Sequence, residues 1–190
     1  MPTRHLILAS ASPRRLDLLR ATGLDPEVRI PDIDESPLPG EDPTAMVERL
    51  ACAKRDAVLA SITDGVNRRV VAADTVVVLD GVVLGKPGTP GTATAMLSRL
   101  SGRTHHVVTG VAVSGPADTA STTVSTEVTW RALSSAEIAT YVATAEPLDK
   151  AGGYGIQGGG ANFVTSLIGS RDNVIGLPVT TALDLLARVS

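Results

Sequence analysis

The run Val70-Val71-Ala72-Ala73-Asp74-Thr75-Val76-Val77-Val78-Leu79 constrains the fold of this chain more than any other segment. Its density of β-branched residues reads as a buried strand. Asp74 is the exception inside it. A carboxylate left unpaired in such a strand would cost several kcal/mol, so Asp74 needs a cation, a metal or a cleft. The alternative is an edge strand or bulge that turns Asp74 to water. Thr75 points to the opposite face of a regular strand, although at a bulge its hydroxyl could still reach a ligand. Asp80-Gly81 follows as a type I′ hairpin signal, with Val82-Val83-Leu84 as the returning strand.

Strand and helix signals alternate along the rest of the chain. Leu6-Ile7-Leu8-Ala9 is a short apolar run, and Ser12-Pro13 after it is a helix start. Gly23 stops that helix, and residues 27–31 read as a strand. A Pro-rich polar loop over 31–40 holds Asp32, Asp34 and Glu35. Asp42-Pro43 opens a helix to about Leu59, and residues 92–100 read as another. Residues 107–113 and 122–131 alternate like antiparallel strands. Ser134-x-x-Glu137 is a capping box for a helix through Ala145. Residues 149–160 are glycine-rich, 163–168 read as a last strand, and Pro178 begins a C-terminal helix. Hairpins mixed with crossovers give an α/β or α+β fold with a mixed sheet, not a doubly wound Rossmann fold.

Composition bounds function. At 190 residues the chain suits one domain, or two lobes sharing a core. Aromatics make up 2% of it, so Val, Leu, Ile and Ala must build the core. That scarcity, a net charge of −3 and the lack of a Lys/Arg run argue against nucleic-acid binding. The single Cys52 excludes an internal disulfide and a multi-Cys zinc site, and reads as a small core residue. His5, His105 and His106 lack metal spacing, and the latter two read as strand-start residues. No stretch nears the roughly 20 apolar residues of a membrane span. The N-terminus shows no signal-peptide pattern, so the expected location is cytoplasmic.

Several residues carry chemistry. Arg14 and Arg15 sit in a first helical turn, where cations oppose the helix dipole unless an anion binds there; two exposed surface arginines are the plain alternative. Lys54 falls within the apolar stripe of Val47, Leu50, Ala51 and Val58. It must therefore snorkel, pair with a carboxylate, or face a cleft. Lys86, in Gly85-Lys86-Pro87, could reach a phosphate from its turn or stay solvated. Gln157, in a glycine-dense segment, offers both a donor and an acceptor, which suits reading a base edge. Glu35 with Asp74 would give Mg²⁺ the one or two carboxylates it takes beside substrate phosphates. Taken alone, the loop acids read better as a solvated loop. The glycine pattern matches neither a Walker A loop nor GxGxxG.

Together these segments resemble the Maf family of nucleotide pyrophosphatases. The matching stretches are Ala9-Ser10-Ala11-Ser12-Pro13-Arg14-Arg15, Arg49-Leu50-Ala51 with Lys54, Ala73-Asp74-Thr75, and Gly85-Lys86-Pro87. Leu148-Asp149-Lys150-Ala151-Gly152 with Tyr154-Gly155-Ile156-Gln157-Gly158 follows, then Asn173-Val174-Ile175-Gly176-Leu177-Pro178. The resemblance implies one Maf-like domain over residues 1–190 and a fold like that of inosine triphosphate pyrophosphatases, with a long mixed sheet, two lobes and a central cleft. It implies a cytoplasmic homodimer using a divalent cation, Mg²⁺ or Mn²⁺, and hydrolysing nucleoside triphosphates to monophosphate and pyrophosphate. Asp74 would be the proton acceptor and, with Glu35, would hold the metal. Lys54 joins Asp74 in catalysis, while Ser10, Arg14, Arg15, Thr75, Lys86 and Gln157 would bind substrate. The Gly-Ile-Gln-Gly segment looks like the branch acting on dTTP and UTP. Gly153 and the run Gly158-Gly159-Gly160 depart from the pattern, and the run bears on the base pocket. The rival readings are a non-catalytic nucleotide-binding regulator of cell division and a 7-methyl-GTP pyrophosphatase.

Overall fold

Strand β1 (Leu6–Ala9) pairs in parallel with β2 (Glu27–Arg29) on one side and with β3 (Arg69–Leu79) on the other. In the computed structural model, which describes residues 6–63, 68–116 and 118–189, the sheet runs β2-β1-β3-β5-β6-β7, and β4 (Val82–Leu84) pairs antiparallel with β3. Strands β5 (Thr104–Ser114) and β6 (Thr119–Trp130) are long, and β7 (Val164–Ile168) pairs antiparallel with β6. The class is mixed α/β, as expected. His5 lies outside the described residues. Asp80 and Gly81 take φ of 52° and 75°, the left-handed pair that the hairpin turn requires.

The chain divides into two compact units: Met1–Asp74, Thr109–Val124 and Gly176–Ser190 form the first, and Thr75–Val108 with Ser125–Ile175 the second. In the first, β3 is covered on both faces, which explains its unbroken apolar run. Val71 and Ala73 pack with Leu8, Leu19 of α1 (Pro13–Arg20) and Leu185 of α6 (Val179–Arg188). Val70 and Ala72 pack with Ile7 and with Val58 of α2 (Pro43–Ala60). Asp42 caps α2, accepting from the N–H groups of Thr44 at 2.8 Å and Ala45 at 3.2 Å.

The second unit overturns the expectation of an all-aliphatic core. Trp130, Tyr141, Tyr154 and Phe163 are the whole aromatic complement, and all four are buried there. Their rings meet edge to face, Trp130 to Tyr154 at 4.8 Å and to Phe163 at 5.1 Å. Leu97 and Leu100 of α3 (Pro90–Leu100) and Ile138 of α4 (Ser135–Ala143) complete the cluster.

Element ends differ from the sequence pattern where a single residue breaks the helix. Helix α4 stops at Ala143 because Ala145 adopts φ 61°, and Pro178 is the N-cap of α6 rather than its first residue. Helix α5 (Arg171–Ile175) was not anticipated, being too short to show a period. Cys52 is only half-buried, one step off the stripe that α2 turns inward.

Candidate active site

The apolar stripe of α2 delivers Lys54 to Asp74. Lys54 Nζ donates to Asp74 Oδ1 at 2.6 Å and meets Glu35 Oε1 at 2.8 Å. The Lys54 and Asp74 side chains are 7% and 12% exposed, whereas that of Glu35 is 57% exposed. Of the three options open to Lys54, pairing is the one realised. Asp74 likewise meets its desolvation with a cation rather than by turning to water.

Ser10, at the end of β1, is buried, and its Oγ accepts from the Ser12 N–H at 3.1 Å and from Arg15 Nη1 at 3.2 Å. With both lone pairs engaged, its own O–H is left to donate. Arg15 donates through Nε to the Gly176 carbonyl at 2.7 Å and through Nη1 to the Ala73 carbonyl at 2.8 Å. Burial lowers its pKa from the ordinary value, and the charge of Asp74 opposes that shift. Arg15 therefore ties α1 to the residue before Asp74. Arg14 is half-buried and, among the described residues, makes no ion pair or hydrogen bond.

The loop bearing Glu35 is held by Arg49, which no spacing singles out beyond its place in Arg49-Leu50-Ala51. Arg49 of α2 forks onto Glu41, with Nε to Oε1 at 2.5 Å and Nη2 to Oε2 at 2.7 Å, and Nη2 also reaches the Ser36 carbonyl at 3.3 Å. That hydrogen-bonded guanidinium lowers the Glu41 pKa to about 2. Asp34 caps its own turn by accepting the Ser36 N–H at 2.9 Å, and Asp32 is exposed. The eight-residue gap between Glu41 and Arg49 spans a loop and a helix start, so neither helical nor strand spacing signals the pair.

In the second unit Thr75 is half-buried, and Lys86 and Gln157 are exposed. Lys86 and Gln157 make no ion pair or hydrogen bond among the described residues. Among those residues no group of three or more His, Cys, Asp or Glu gathers to hold a metal. Glu35 and Asp74 nevertheless converge on one cationic nitrogen, an oxygen donor pair that fits Mg²⁺ or Mn²⁺ completed by phosphate oxygens. His105 and His106 do lie at the start of β5. No helix among the described residues is long and apolar enough to cross a membrane.

The family model for Maf-like protein matches residues 5–189. The chain belongs to the Maf family. It is 51% identical over 186 residues to a dTTP/UTP pyrophosphatase of Moorella thermoacetica, covering 96% of this chain and 93% of that one. A dTTP/UTP pyrophosphatase of Myxococcus xanthus is 50% identical over 183 residues, covering 96% and 91%. Among solved structures, the Staphylococcus aureus Ham1 protein aligns with a TM-score of 0.45 at 17% identity, covering 66% of this chain and 71% of that one. The quoted Maf segments supply Ser10, Lys54 and Asp74, three of the buried polar residues of the first unit, together with Arg15.

Proposed function

We propose that this Maf protein hydrolyses nucleoside triphosphates, with dTTP and UTP as preferred substrates, to the monophosphate and pyrophosphate. The observation that carries the reading is the Lys54 ammonium held between Asp74 and Glu35. A protein that only binds nucleotides needs cations; two acids beside an anionic substrate belong to chemistry. The relatives named dTTP/UTP pyrophosphatase support the substrate class.

In this mechanism Asp74 takes a proton from water as the water oxygen attacks the α-phosphorus. The bond from that phosphorus to the bridging oxygen breaks, and pyrophosphate leaves. General-base assistance of this kind is worth about 10²–10⁴-fold. Glu35 and Asp74 would hold a divalent cation, whose chemistry is to neutralise triphosphate charge. Lys54 orients the Asp74 carboxylate through its 2.6 Å hydrogen bond. Arg14, Lys86 and the Ser10 hydroxyl bind phosphate oxygens, and Thr75 lies next to the reacting carboxylate in the chain. Arg15 adds positive charge while fixing the Ala73 carbonyl. Gln157 reads the base. The reading includes one domain over residues 1–190 acting as a cytoplasmic homodimer.

The test is pyrophosphate release from dTTP, UTP, CTP, GTP and 7-methyl-GTP with Mg²⁺ or Mn²⁺, against an EDTA control. Cleavage of dTTP and UTP that stops with EDTA is expected. Cleavage of 7-methyl-GTP instead would move the protein to the sister branch, and binding without cleavage would make it a regulator.

A further inference from the structure

The turn that carries Gln157 is gripped at both ends by side chains for which the proposed chemistry has no use. Residues 156–158 form the turn, closed by the Gly158 N–H donating to the Gly155 carbonyl at 3.1 Å. At its leading end the Gly155 N–H donates to Tyr141 Oη at 3.1 Å. At its trailing end the Gly159 N–H donates to Glu146 Oε2 at 3.1 Å. Tyr141 Oη in turn donates to Glu146 Oε1 at 2.9 Å, which makes the two grips one brace. Burial raises the Tyr141 pKa, so the phenol keeps the proton it donates.

The glycines are what let the brace close. A Cβ on Gly155 would lie 2.7 Å from Glu146 Oε1, one on Gly158 would overlap the same carboxylate, and one on Gly159 would lie 2.9 Å from the Tyr141 ring. The brace is itself anchored. Glu146 follows Ala145, whose left-handed φ of 61° is uncommon for a residue with a Cβ. The Glu146 N–H donates to Thr144 Oγ1 at 3.2 Å, and its carbonyl accepts from Lys150 Nζ at 2.8 Å.

An exposed amide on a glycine turn samples many orientations, and a donor–acceptor pair selects a base only when its position is fixed. We propose that Tyr141 and Glu146 are positioning residues for nucleobase selection, fixing the turn from which Gln157 presents its amide. The inference rests on Gln157 being the group that reads the base.

The experiment compares Tyr141→Phe, Glu146→Gln and Gln157→Ala in the full-length protein, measuring kcat and KM for dTTP and CTP and hydrogen exchange at the 155–160 amides. Tyr141→Phe keeps the ring packed on Phe163, 5.0 Å away, so it tests the hydroxyl alone. Each brace variant is expected to raise the KM for dTTP and narrow the dTTP:CTP preference by about tenfold, the loss of one net hydrogen-bond energy. Turnover should stay within about twofold on the same argument, because an effect on binding geometry alone leaves kcat in place. Faster exchange at Gly155 and Gly159 should accompany it, and Glu146→Gln added to Gln157→Ala should narrow the preference no further. If Gln157→Ala narrows the preference while both brace variants keep wild-type KM and preference, the brace inference fails and the base-reading role stands. If Gln157→Ala leaves the preference unchanged, the base-reading role fails and takes the inference with it.

Discussion

One ammonium set between two carboxylates leaves the cluster a single negative charge, and removing each member has a different cost. Without Lys54, Asp74 at 12% exposure loses its ion-pair partner beside Glu35, and breaking a buried pair in that way costs about 3–5 kcal/mol. Without the Asp74 charge, Lys54 still has Glu35 at 2.8 Å. Lys54→Met should therefore lower the urea midpoint more than Asp74→Asn, while both lose activity. The double variant should recover most of the Lys54→Met loss, because no unpaired charge stays buried. Simple addition of the two single costs would show that the pair is not coupled in the folded protein.

Where α2 crosses β5, Gly110 has no room for a side chain: a Cβ there would overlap the Val47 carbonyl and lie 2.7 Å from the Glu48 nitrogen. Backbone cannot yield as a flexible side chain does, so Gly110→Ala must push α2 outward, and α2 carries Lys54. A loss of about 1–3 kcal/mol in stability is expected from such overpacking, with lower activity in proportion to the shift of Lys54. Unchanged stability and turnover would mean that the helix does not depend on this close approach. The same elements show what the sequence made legible. The stripe of α2 and the β-branched run of β3 are local periodicities, so helix, strand and the anomalous Lys54 and Asp74 could all be read from spacing. That the two anomalies answer each other at 2.6 Å depends on which elements pack together, which no local pattern encodes. Glu146 was missed for the same reason. It follows a helix end set by the left-handed Ala145, and its partners lie 5 and 13 residues away in the chain. The helix position of Arg15 leaves anion binding and surface exposure both open, and only the fold reveals the carbonyls of Ala73 and Gly176 that it serves.

Across the whole molecule, stability should respond to acid in two successive windows. His105 is 1% exposed, with Nε2 at 2.8 Å from Tyr154 Oη, and burial lowers its pKa from 6.5 to about 4. Below pH 6.5 the unfolded chain takes up a proton that the folded one refuses, so stability falls as pH drops from 6.5 toward 4 and then levels off on this account. The full shift corresponds to a loss of roughly 3 kcal/mol at 1.36 kcal/mol per pKa unit. Glu137 and Glu41 act in the next window. Hydrogen bonds from Ser134 hold Glu137, and those from Arg49 hold Glu41, each near a pKa of about 2 against 4.5 unfolded. Their contribution is complete above 4.5 and is lost as pH falls through 2. Trp130, the only tryptophan, packs against His105 at 5.5 Å, so its fluorescence follows the core of the second unit. Denaturation followed at Trp130 should show stability declining between pH 6.5 and 4.5, and His105→Asn should flatten that slope whatever it does to stability at neutral pH. A slope that survives the substitution would assign the first window to another group.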